Sequence, residues 1–321
     1  MPEHPQLVIG LALGSGSARG LAHVGIIREL EALDIVPQVV CGTSVGAMVG
    51  AAWVTGRMDK LEAWARGLTR FRMARFLDIN ARFAGFLDQS RFSEFLDEHV
   101  ADPDELIEEC DTAYGAVSTE LATAREHWMI RGSLKEAVWT SMSLPGLFPP
   151  RRHEAMWHTD GGLVNPVPVS LCHALGANFV IAANMNGDLV TRKFEAVSPA
   201  ADDAVPTGPH LTEREAENRS SFARIVSSLT KEYANALLPS SENSEPQPRV
   251  PSVVDTLAMA IHIAQDRITR SRMAGDPPDL LLTPRLSDIG LLDLHRASEA
   301  IEEGRQCVQR MRAEIEHALG R

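Results

Sequence analysis

A strand, a sharp turn and a helix around one serine constrain this chain more than any other feature. The apolar run Val39–Cys41 predicts a short buried strand, Gly42–Gly46 has the pattern Gly-x-Ser-x-Gly, and the small residues of Ala47–Val54 predict a helix. Glycines at both ends of the turn permit a tight bend and leave Ser44 at a helix N-terminus that favours negative charge. We interpret Ser44 as a nucleophile, although an ordinary glycine-rich strand-to-helix turn with no catalytic role has the same pattern.

The overall charge bears on the class of partner. The 321 residues include 31 lysines and arginines against 43 aspartates and glutamates, a formal net charge of −12. Because nucleic-acid phosphates require basic patches, we expect no nucleic-acid partner. A local basic surface facing a membrane is still compatible with this charge.

Cysteine spacing and the first residues bear on the compartment. The four cysteines lie far apart, which favours free thiols in a reducing compartment over disulfides or a zinc site. Met1–Pro5 lacks the basic flank and apolar core of a signal peptide. The uncharged stretch Ile35–Gly56 is as long as a membrane span, but its polar residues and glycines favour a strand, elbow and helix. We therefore expect a cytoplasmic protein.

The residues before the serine motif predict a βαβ unit. Leu7–Leu13 reads as a buried strand, and the apolar spacing of Leu21–Leu33 is typical of a helix that leads back to the second strand. The glycine loop between them does not fit a dinucleotide fingerprint, because the sixth position counted from Gly14 is Arg19. The alternative is a set of backbone N–H donors near Gly16 and Ser17 that face a reacting carbonyl at Ser44.

The rest of the chain alternates predicted strands, helices and loops. The spacing predicts an amphipathic helix over 222–237 between two polar, proline-rich loops at 195–218 and 239–251. Further predicted strands are Tyr114–Leu121, His127–Ile130, Asn178–Asn184 and Asp279–Thr283, and further predicted helices are Gly132–Ser143, Ser170–Gly176, Val254–Ile268 and Leu291–Leu319.

A basic, aromatic stretch at about 59–96 stands out in this acidic chain. Between Arg66 and Arg91 there are six arginines and two acids, and six of the ten phenylalanines lie in or beside it. Such a stretch is typical of an amphipathic helical cap with solvated arginines, or of a surface that lies on lipid. Our hypothesis is that this cap covers Ser44, contacts the substrate's acyl chains and makes a peripheral membrane contact through residues 66–95.

Four ordered motifs resemble those of a known family. They are the loop ending in Ala18-Arg19-Gly20, the Gly42–Gly46 elbow, Ser143-Leu144-Pro145-Gly146, and Asp160-Gly161-Gly162. Together they resemble the patatin-like phospholipases, most closely the bacterial proteins related to neuropathy target esterase. The resemblance implies a three-layer α/β/α fold with a central, mostly parallel sheet, over a core at 1–190. We expect residues 191–321 to form a C-terminal extension packed on the same domain.

The resemblance also implies roles for individual residues. It implies a Ser–Asp dyad without histidine, with Ser44 as the nucleophile, Asp160 as the general base, and Gly161 and Gly162 supporting the turn after it. It assigns the oxyanion hole to the loop Ser15, Gly16, Ser17, Ala18, Arg19 and Gly20. The family commonly has glycine where this chain has Ser15 and Ser17, and a serine at φ > 0 costs on the order of 1 kcal/mol.

Three activities are compatible with the sequence, and the first is favoured. It is a lipid acyl hydrolase that forms an acyl-enzyme and needs no metal or cofactor, since no histidine, cysteine or carboxylate cluster has ligand spacing. The second is an α/β-hydrolase with a Ser–Asp–His triad that uses His173, His262 or His295. The third is a non-catalytic regulatory or scaffold protein with the same fold. The oligomeric state is not predicted.

Overall fold

A computed structural model describes residues 7–69, 89–188 and 253–321, with side chains of the last range described from residue 259. The described residues before 190 and after 260 form one compact unit. The predicted loops at 195–218 and 239–251, the predicted helix at 222–237 and the middle of the predicted cap lie outside the described residues. Within the described ranges, each helix is too short or too polar to cross a bilayer.

The first βαβ unit is confirmed. Strand β1 (Ile9–Leu13) is followed by a 3-10 turn, helix α1 (Ala22–Ala32), strand β2 (Val39–Thr43) and helix α2 (Val45–Val54). Strands β1 and β2 are parallel, and every residue in both is buried. Continuous apolar strands are expected where helices cover both faces of a parallel sheet.

The central sheet has six further strands: β3 (Ala113–Glu120), β4 (Glu126–Met129), β5 (Arg151–His153), β6 (Met156–Asp160), β7 (Phe179–Ala183) and β8 (Leu280–Leu282). The eight strands are hydrogen-bonded in the sequence of pairings β5-β6-β3-β2-β1-β7-β8, and β4 also pairs with β3. Strands β3, β2, β1, β7 and β8 are parallel, whereas β4, β5 and β6 form an antiparallel edge. The sequence did not predict strand β5 or its hairpin with β6.

Helices cover both faces of this sheet, so the α/β fold predicted from the sequence is confirmed. Alternate residues of β1 enter different apolar cores: Leu11 and Leu13 pack in one, and Ala12 in the other. This alternation follows from the two-residue period of a strand. The remaining helices are α3 (Met58–Arg66), α4 (Gln89–His99), α5 (Leu134–Ser141), α6 (Val169–Ala174), α7 (Val253–Met273), α8 (Ala297–Arg310) and α9 (Arg312–Ala318).

The described ends of the predicted cap are helices α3 and α4. Two of the phenylalanines in this stretch, Phe92 and Phe95, are buried in the main core. The ring of Phe92 lies 5.4 Å from Trp139 and 4.6 Å from Phe148. These two rings therefore anchor α4 to the body of the fold.

Candidate active site

Strand β3 brings the ends of β2 and β6 together. Strand β2 pairs with β3 as far as Val117, and β6 pairs with it from Ser118, which lies opposite Asp160. Strand β4 pairs with Ala116–Thr119 and so overlaps both partners. Because a strand has only two edges, β2 and β6 must lie end to end on the edge opposite β4. Ser44, which follows β2, and Asp160, which ends β6, therefore meet on that edge.

The turn at Ser44 is strained and tightly enclosed. The backbone of Ser44 has φ 56° and ψ −125°, an unfavourable conformation for a side chain-bearing residue. Its N–H donates to Ser141 Oγ at 2.9 Å. A Cβ atom on Gly42 would lie 2.4 Å from the backbone of α2, and one on Gly46 would lie 2.1 Å from the carbonyl oxygen of Leu13. Neither glycine position has room for a side chain.

The side chains of Ser44 and Asp160 are directly hydrogen-bonded. Ser44 Oγ donates to Asp160 Oδ2 at 2.6 Å, and the Gly162 N–H donates to Asp160 Oδ1 at 2.7 Å. Burial raises the pKa of Asp160 to about 6, although both hydrogen bonds favour the charged form. The carboxylate is thus charged at neutral pH and close enough to accept the hydroxyl proton.

The C-terminal end of α5 fixes both residues. Ser141, its last residue, accepts the Ser44 N–H through Oγ, and the carbonyl of Ser143 accepts the Asp160 N–H at 3.0 Å. On the other side, Thr119 Oγ1 donates to the Asp160 carbonyl at 2.8 Å. The motif that starts at Ser143 is recognisable in the sequence, but Ser141 is not, because nothing in the sequence distinguishes that serine from its neighbours.

The turn after Asp160 is packed as closely as the one at Ser44. A Cβ atom on Gly161 would lie 2.2 Å from the Val117 carbonyl oxygen, and one on Gly162 would lie 2.4 Å from Gln265 Nε2. Thr43 Oγ1, beside Ser44, donates to a carbonyl in the same turn at 2.8 Å. The two turns that carry Ser44 and Asp160 are therefore bonded to each other.

The loop between β1 and α1 lies against the first turn of α2. A Cβ atom on Gly20 would lie 2.7 Å from Val45 Cβ, next to Ser44. Within the described residues, the N–H groups of Gly16 and Ser17 have no acceptor. The neighbouring backbone N–H groups all donate to backbone carbonyls. The pairs are Gly14 to Ala183, Ser15 to Pro166, Ala18 to Leu291 and Arg19 to Gly16. Two adjacent donors are thus left for a ligand.

The two serines in this loop differ in conformation. Ser17 has φ 49°, whereas Ser15 does not have a positive φ. Ser15 Oγ instead donates to Gln265 Oε1 at 3.2 Å. The strain that glycine would avoid is therefore confined to Ser17.

The buried side chain of Arg19 contacts a backbone carbonyl, an amide oxygen and an imidazole. Its side chain is 1% exposed, with Nη1 donating to the Ile289 carbonyl at 3.2 Å and Nη2 to Asn186 Oδ1 at 2.9 Å. Nη2 also lies 2.9 Å from His262 Nε2. Burial lowers the pKa of Arg19 to about 10, so the guanidinium stays charged at neutral pH. Across the described ranges, no carboxylate pairs with it.

Helix α7 closes this network. Gln265 Oε1 accepts hydrogen bonds from Ser15 Oγ and from Asn186 Nδ2, the latter at 3.1 Å. His262 lies one turn earlier on the same helix, at Arg19. Asn186 and Gln265 were not predicted from the sequence, because each is far from the loop in sequence and belongs to no motif.

The histidines considered for a triad lie elsewhere. His262 contacts Arg19, His173 Nδ1 lies 3.0 Å from the Ala177 carbonyl oxygen, and His295 belongs to a short 3-10 turn before α8. Among the described residues, no imidazole is hydrogen-bonded to the side chain of Ser44 or Asp160. The contact between the hydroxyl and the carboxylate is direct.

Several known proteins are similar to this chain. An uncharacterized NTE family protein of Mycobacterium bovis is 29% identical over 92% of this chain and 89% of its own length. Neuropathy target esterase sws of Drosophila melanogaster is 31% identical over 55% of this chain, but over only 13% of its own length. Among solved structures, VipD from Legionella pneumophila is 14% identical and covers 97% of this chain and 67% of its own, with a TM-score of 0.46.

The family assignment rests on a match that includes both residues of the hydrogen-bonded pair. The profile of the patatin-like phospholipases matches residues 11–173, from strand β1 to helix α6. That range contains Ser44, Asp160 and the loop that follows β1. The chain belongs to the patatin-like phospholipase family, and NTE family proteins are among its relatives.

Proposed function

We propose that this chain is a lipid ester hydrolase in which Ser44 is the nucleophile and Asp160 the general base. The observation that carries the proposal is the 2.6 Å hydrogen bond from Ser44 Oγ to Asp160 Oδ2. A serine hydroxyl is a weak nucleophile unless a base removes its proton during attack. Membership of the patatin-like phospholipase family supports lipid ester hydrolysis as the reaction class.

The environment of Asp160 suits this role. Its pKa of about 6 lies near neutrality because the carboxylate is buried, and a base works best when its pKa is close to the working pH. The Gly162 N–H holds the second carboxylate oxygen, so Oδ2 stays directed at the hydroxyl. A histidine between the two residues is then unnecessary.

The free N–H groups of Gly16 and Ser17 are the proposed oxyanion hole. They belong to the loop that packs on the first turn of α2, beside Ser44. Removing one such donor in other hydrolases costs roughly 3–4 kcal/mol of transition-state stabilisation. Arg19 and Gln265 support the loop by bonding its surroundings, without reaching the reacting atoms.

The reaction then proceeds in two steps, formation of an acyl-enzyme and its hydrolysis. Ser44 Oγ attacks the ester carbonyl as its proton passes to Asp160, and the collapse of the tetrahedral intermediate expels an alcohol that takes this proton. Water attacks the resulting acyl-serine while Asp160 accepts a proton from it. That proton returns to Ser44 Oγ as the fatty acid leaves, which restores the starting state.

The membrane contact is a separate part of the proposal. The basic stretch 66–95 would place the protein on anionic lipid, where its substrate is found. In the described part of this stretch, Arg66 pairs with Glu62, a carboxylate that Arg28 and Arg305 also contact. The contact would therefore draw on Arg91, which is exposed on α4, as well as on arginines outside the described residues.

A serine-directed probe and matched variants test the proposal. Fluorophosphonate labelling and hydrolysis of phospholipid, lysophospholipid and a soluble ester are measured for wild type, Ser44→Ala, Asp160→Asn and His173→Gln. We expect Ser44→Ala to lose labelling, both dyad variants to lose at least about 10³-fold in kcat, and His173→Gln to stay active.

Two outcomes would contradict it. Loss of activity in His173→Gln or His295→Gln with intact folding would indicate a triad instead of a dyad. Absence of labelling and hydrolysis in correctly folded wild type would support the non-catalytic scaffold.

A further inference from the structure

Three histidine rings pack together on the antiparallel edge of the sheet. They are His127 on β4, His153 on β5 and His158 on β6. The ring centroids lie 5.3 Å apart for His127 and His153, 4.9 Å for His127 and His158, and 5.7 Å for His153 and His158. Each comes from a different strand, so the cluster exists only because the sheet folds as it does.

None of these rings takes part in the proposed chemistry at Ser44, and one of the three is already hydrogen-bonded. His158 Nδ1 lies 3.0 Å from Ser118 Oγ, which accounts for one ring of the cluster. Within the described residues, the ring nitrogens of His127 and His153 have no hydrogen-bond partner, and the exposed carboxylate of Glu154 has no hydrogen bond or ion pair. Two half-buried imidazoles and a carboxylate are therefore available for a ligand.

The distances between these three groups suit a small cation. One ring nitrogen each from His127 and His153 and a carboxylate oxygen of Glu154 all lie within 4.8 Å of one another. Ligand atoms around tetrahedral zinc are about 3.3 Å apart, given bond lengths of about 2.0–2.1 Å. Metal binding would require the exposed Glu154 side chain to rotate and the two rings to move slightly closer.

The hairpin turn keeps the carboxylate beside the rings at a conformational cost. Glu154 and Ala155 connect β5 to β6 with φ of 45° and 68°. Two-residue turns with positive φ at both positions strongly favour Asn-Gly, so Glu-Ala is strained here. A sequence chosen only for this turn would not have placed glutamate next to His153.

We propose that His127, His153 and Glu154 bind a divalent transition-metal ion of the zinc class. Two imidazoles and one carboxylate suit Zn²⁺ better than Mg²⁺ or Ca²⁺, because the latter two ions prefer oxygen ligands. The bound ion links strand β4 to the β5–β6 hairpin, whose second strand ends at Asp160. The site lies outside the Ser44–Asp160 pair and does not depend on the proposed hydrolase activity.

Metal titration of the full chain tests this site. Chelator-treated wild type, His153→Gln, Glu154→Gln and a control, His317→Gln, are titrated with Zn²⁺ by calorimetry. His317 is an exposed histidine on α9, so the control removes one imidazole without touching the cluster. We expect one Zn²⁺ per wild-type or control chain, with affinity reduced about 10-fold or more in the other two variants.

Thermal unfolding provides a second measurement that also reports folding. Because a ligand bound only to the native state stabilises it, Zn²⁺ should raise the Tm of wild type and His317→Gln but not of His153→Gln or Glu154→Gln. Glu154 is exposed, so Glu154→Gln is expected to fold. Absence of stoichiometric binding by wild type, or equal binding by all four proteins, overturns the proposal.

Discussion

Asp160 and Ser44 are 116 residues apart in sequence, yet their side chains share a 2.6 Å hydrogen bond. The sheet produces this contact: β2 and β6 occupy successive parts of one edge of β3, and their ends meet. The carboxylate is fully buried there, with a pKa of about 6. Its burial has consequences for both activity and stability.

The rate of ester hydrolysis should fall in acid. If deprotonated Asp160 is the base, kcat/KM for a soluble ester loses about tenfold per pH unit below its pKa of about 6. A profile from about pH 5 to about pH 8 measures this. His262→Asn should leave the inflection in place, since His262 contacts Arg19. An inflection that disappears in this variant would assign it to the imidazole.

Replacing the base should stabilise the fold at neutral pH. Because the folded-state pKa of Asp160 is raised, the native state binds this proton more tightly than the unfolded chain, and stability is lost as pH rises through about 6. Asp160→Asn removes the buried charge; its Oδ1 can still accept the Gly162 N–H, and its Nδ2 can donate to Ser44 Oγ in place of the present bond. We expect it to gain on the order of 2–3 kcal/mol in the free energy of unfolding at pH 7, and little below about pH 4.

Urea unfolding at both pH values measures this gain. Asp104→Asn is the matched control, because Asp104 is exposed and the same substitution there should change little. A variant that is inactive and less stable than wild type at pH 7 would show that the carboxylate is needed for folding itself.

The sequence predicted the parallel core because its signals are local. The apolar runs of β1 and β2, the helical spacing of α1 and the glycine elbow each lie within a few residues. The family motifs then supplied the expectation that Ser44 and Asp160 are partners, which local patterns could not.

Contacts between distant segments were not predictable in this way. Ser141, Asn186 and Gln265 act on the site through side-chain hydrogen bonds that form only when α5, α7 and the segment after β7 come together. The histidine cluster likewise draws on three strands, one of which, β5, is only three residues long and was not predicted. Short antiparallel strands carry too little pattern to be recognised alone.

The two serines of the glycine loop should respond oppositely to glycine. Ser17→Gly relieves the strain of φ 49°, whereas Ser15→Gly loses the bond to Gln265 and relieves no strain. Both variants carry the same entropic cost in the unfolded chain, so their difference isolates the native conformation. We expect Ser17→Gly to be more stable than Ser15→Gly by at least about 1 kcal/mol in urea unfolding. Equal stabilities of the two variants would contradict a strained, positive φ at Ser17.

Gly46, two residues after the nucleophile, should not tolerate even a methyl group. Gly46→Ala places a Cβ atom 2.1 Å from the Leu13 carbonyl oxygen, and both are backbone-fixed. We expect loss of ester hydrolysis and a destabilisation of about 3 kcal/mol or more, as for other overpacked sites. At Gly275 the nearest atom to a new Cβ is 3.7 Å away, so Gly275→Ala should match wild type in both the free energy of unfolding and the rate of ester hydrolysis. Comparable behaviour of both variants would rule out the close approach.

Arg19 should be needed for its shape as well as its charge. Lysine offers one ammonium group in place of a planar fork, so Arg19→Lys cannot serve the Ile289 carbonyl, Asn186 and His262 together. We expect about 1–3 kcal/mol less stability, since buried acceptors lose their donors, and a lower kcat because the loop carrying Gly16 is released. Urea unfolding and ester hydrolysis measure the two effects.

The same substitution at Arg125 is the control, because that arginine is exposed and its guanidinium has no hydrogen bond or ion pair within the described residues. Arg125→Lys should match wild type in both assays. If Arg19→Lys loses stability but keeps its full kcat, the guanidinium supports the fold without positioning the oxyanion loop. If it matches Arg125→Lys in both assays, the buried network around Arg19 has no energetic role. The proposed role of Arg19 therefore requires that kcat and stability fall together.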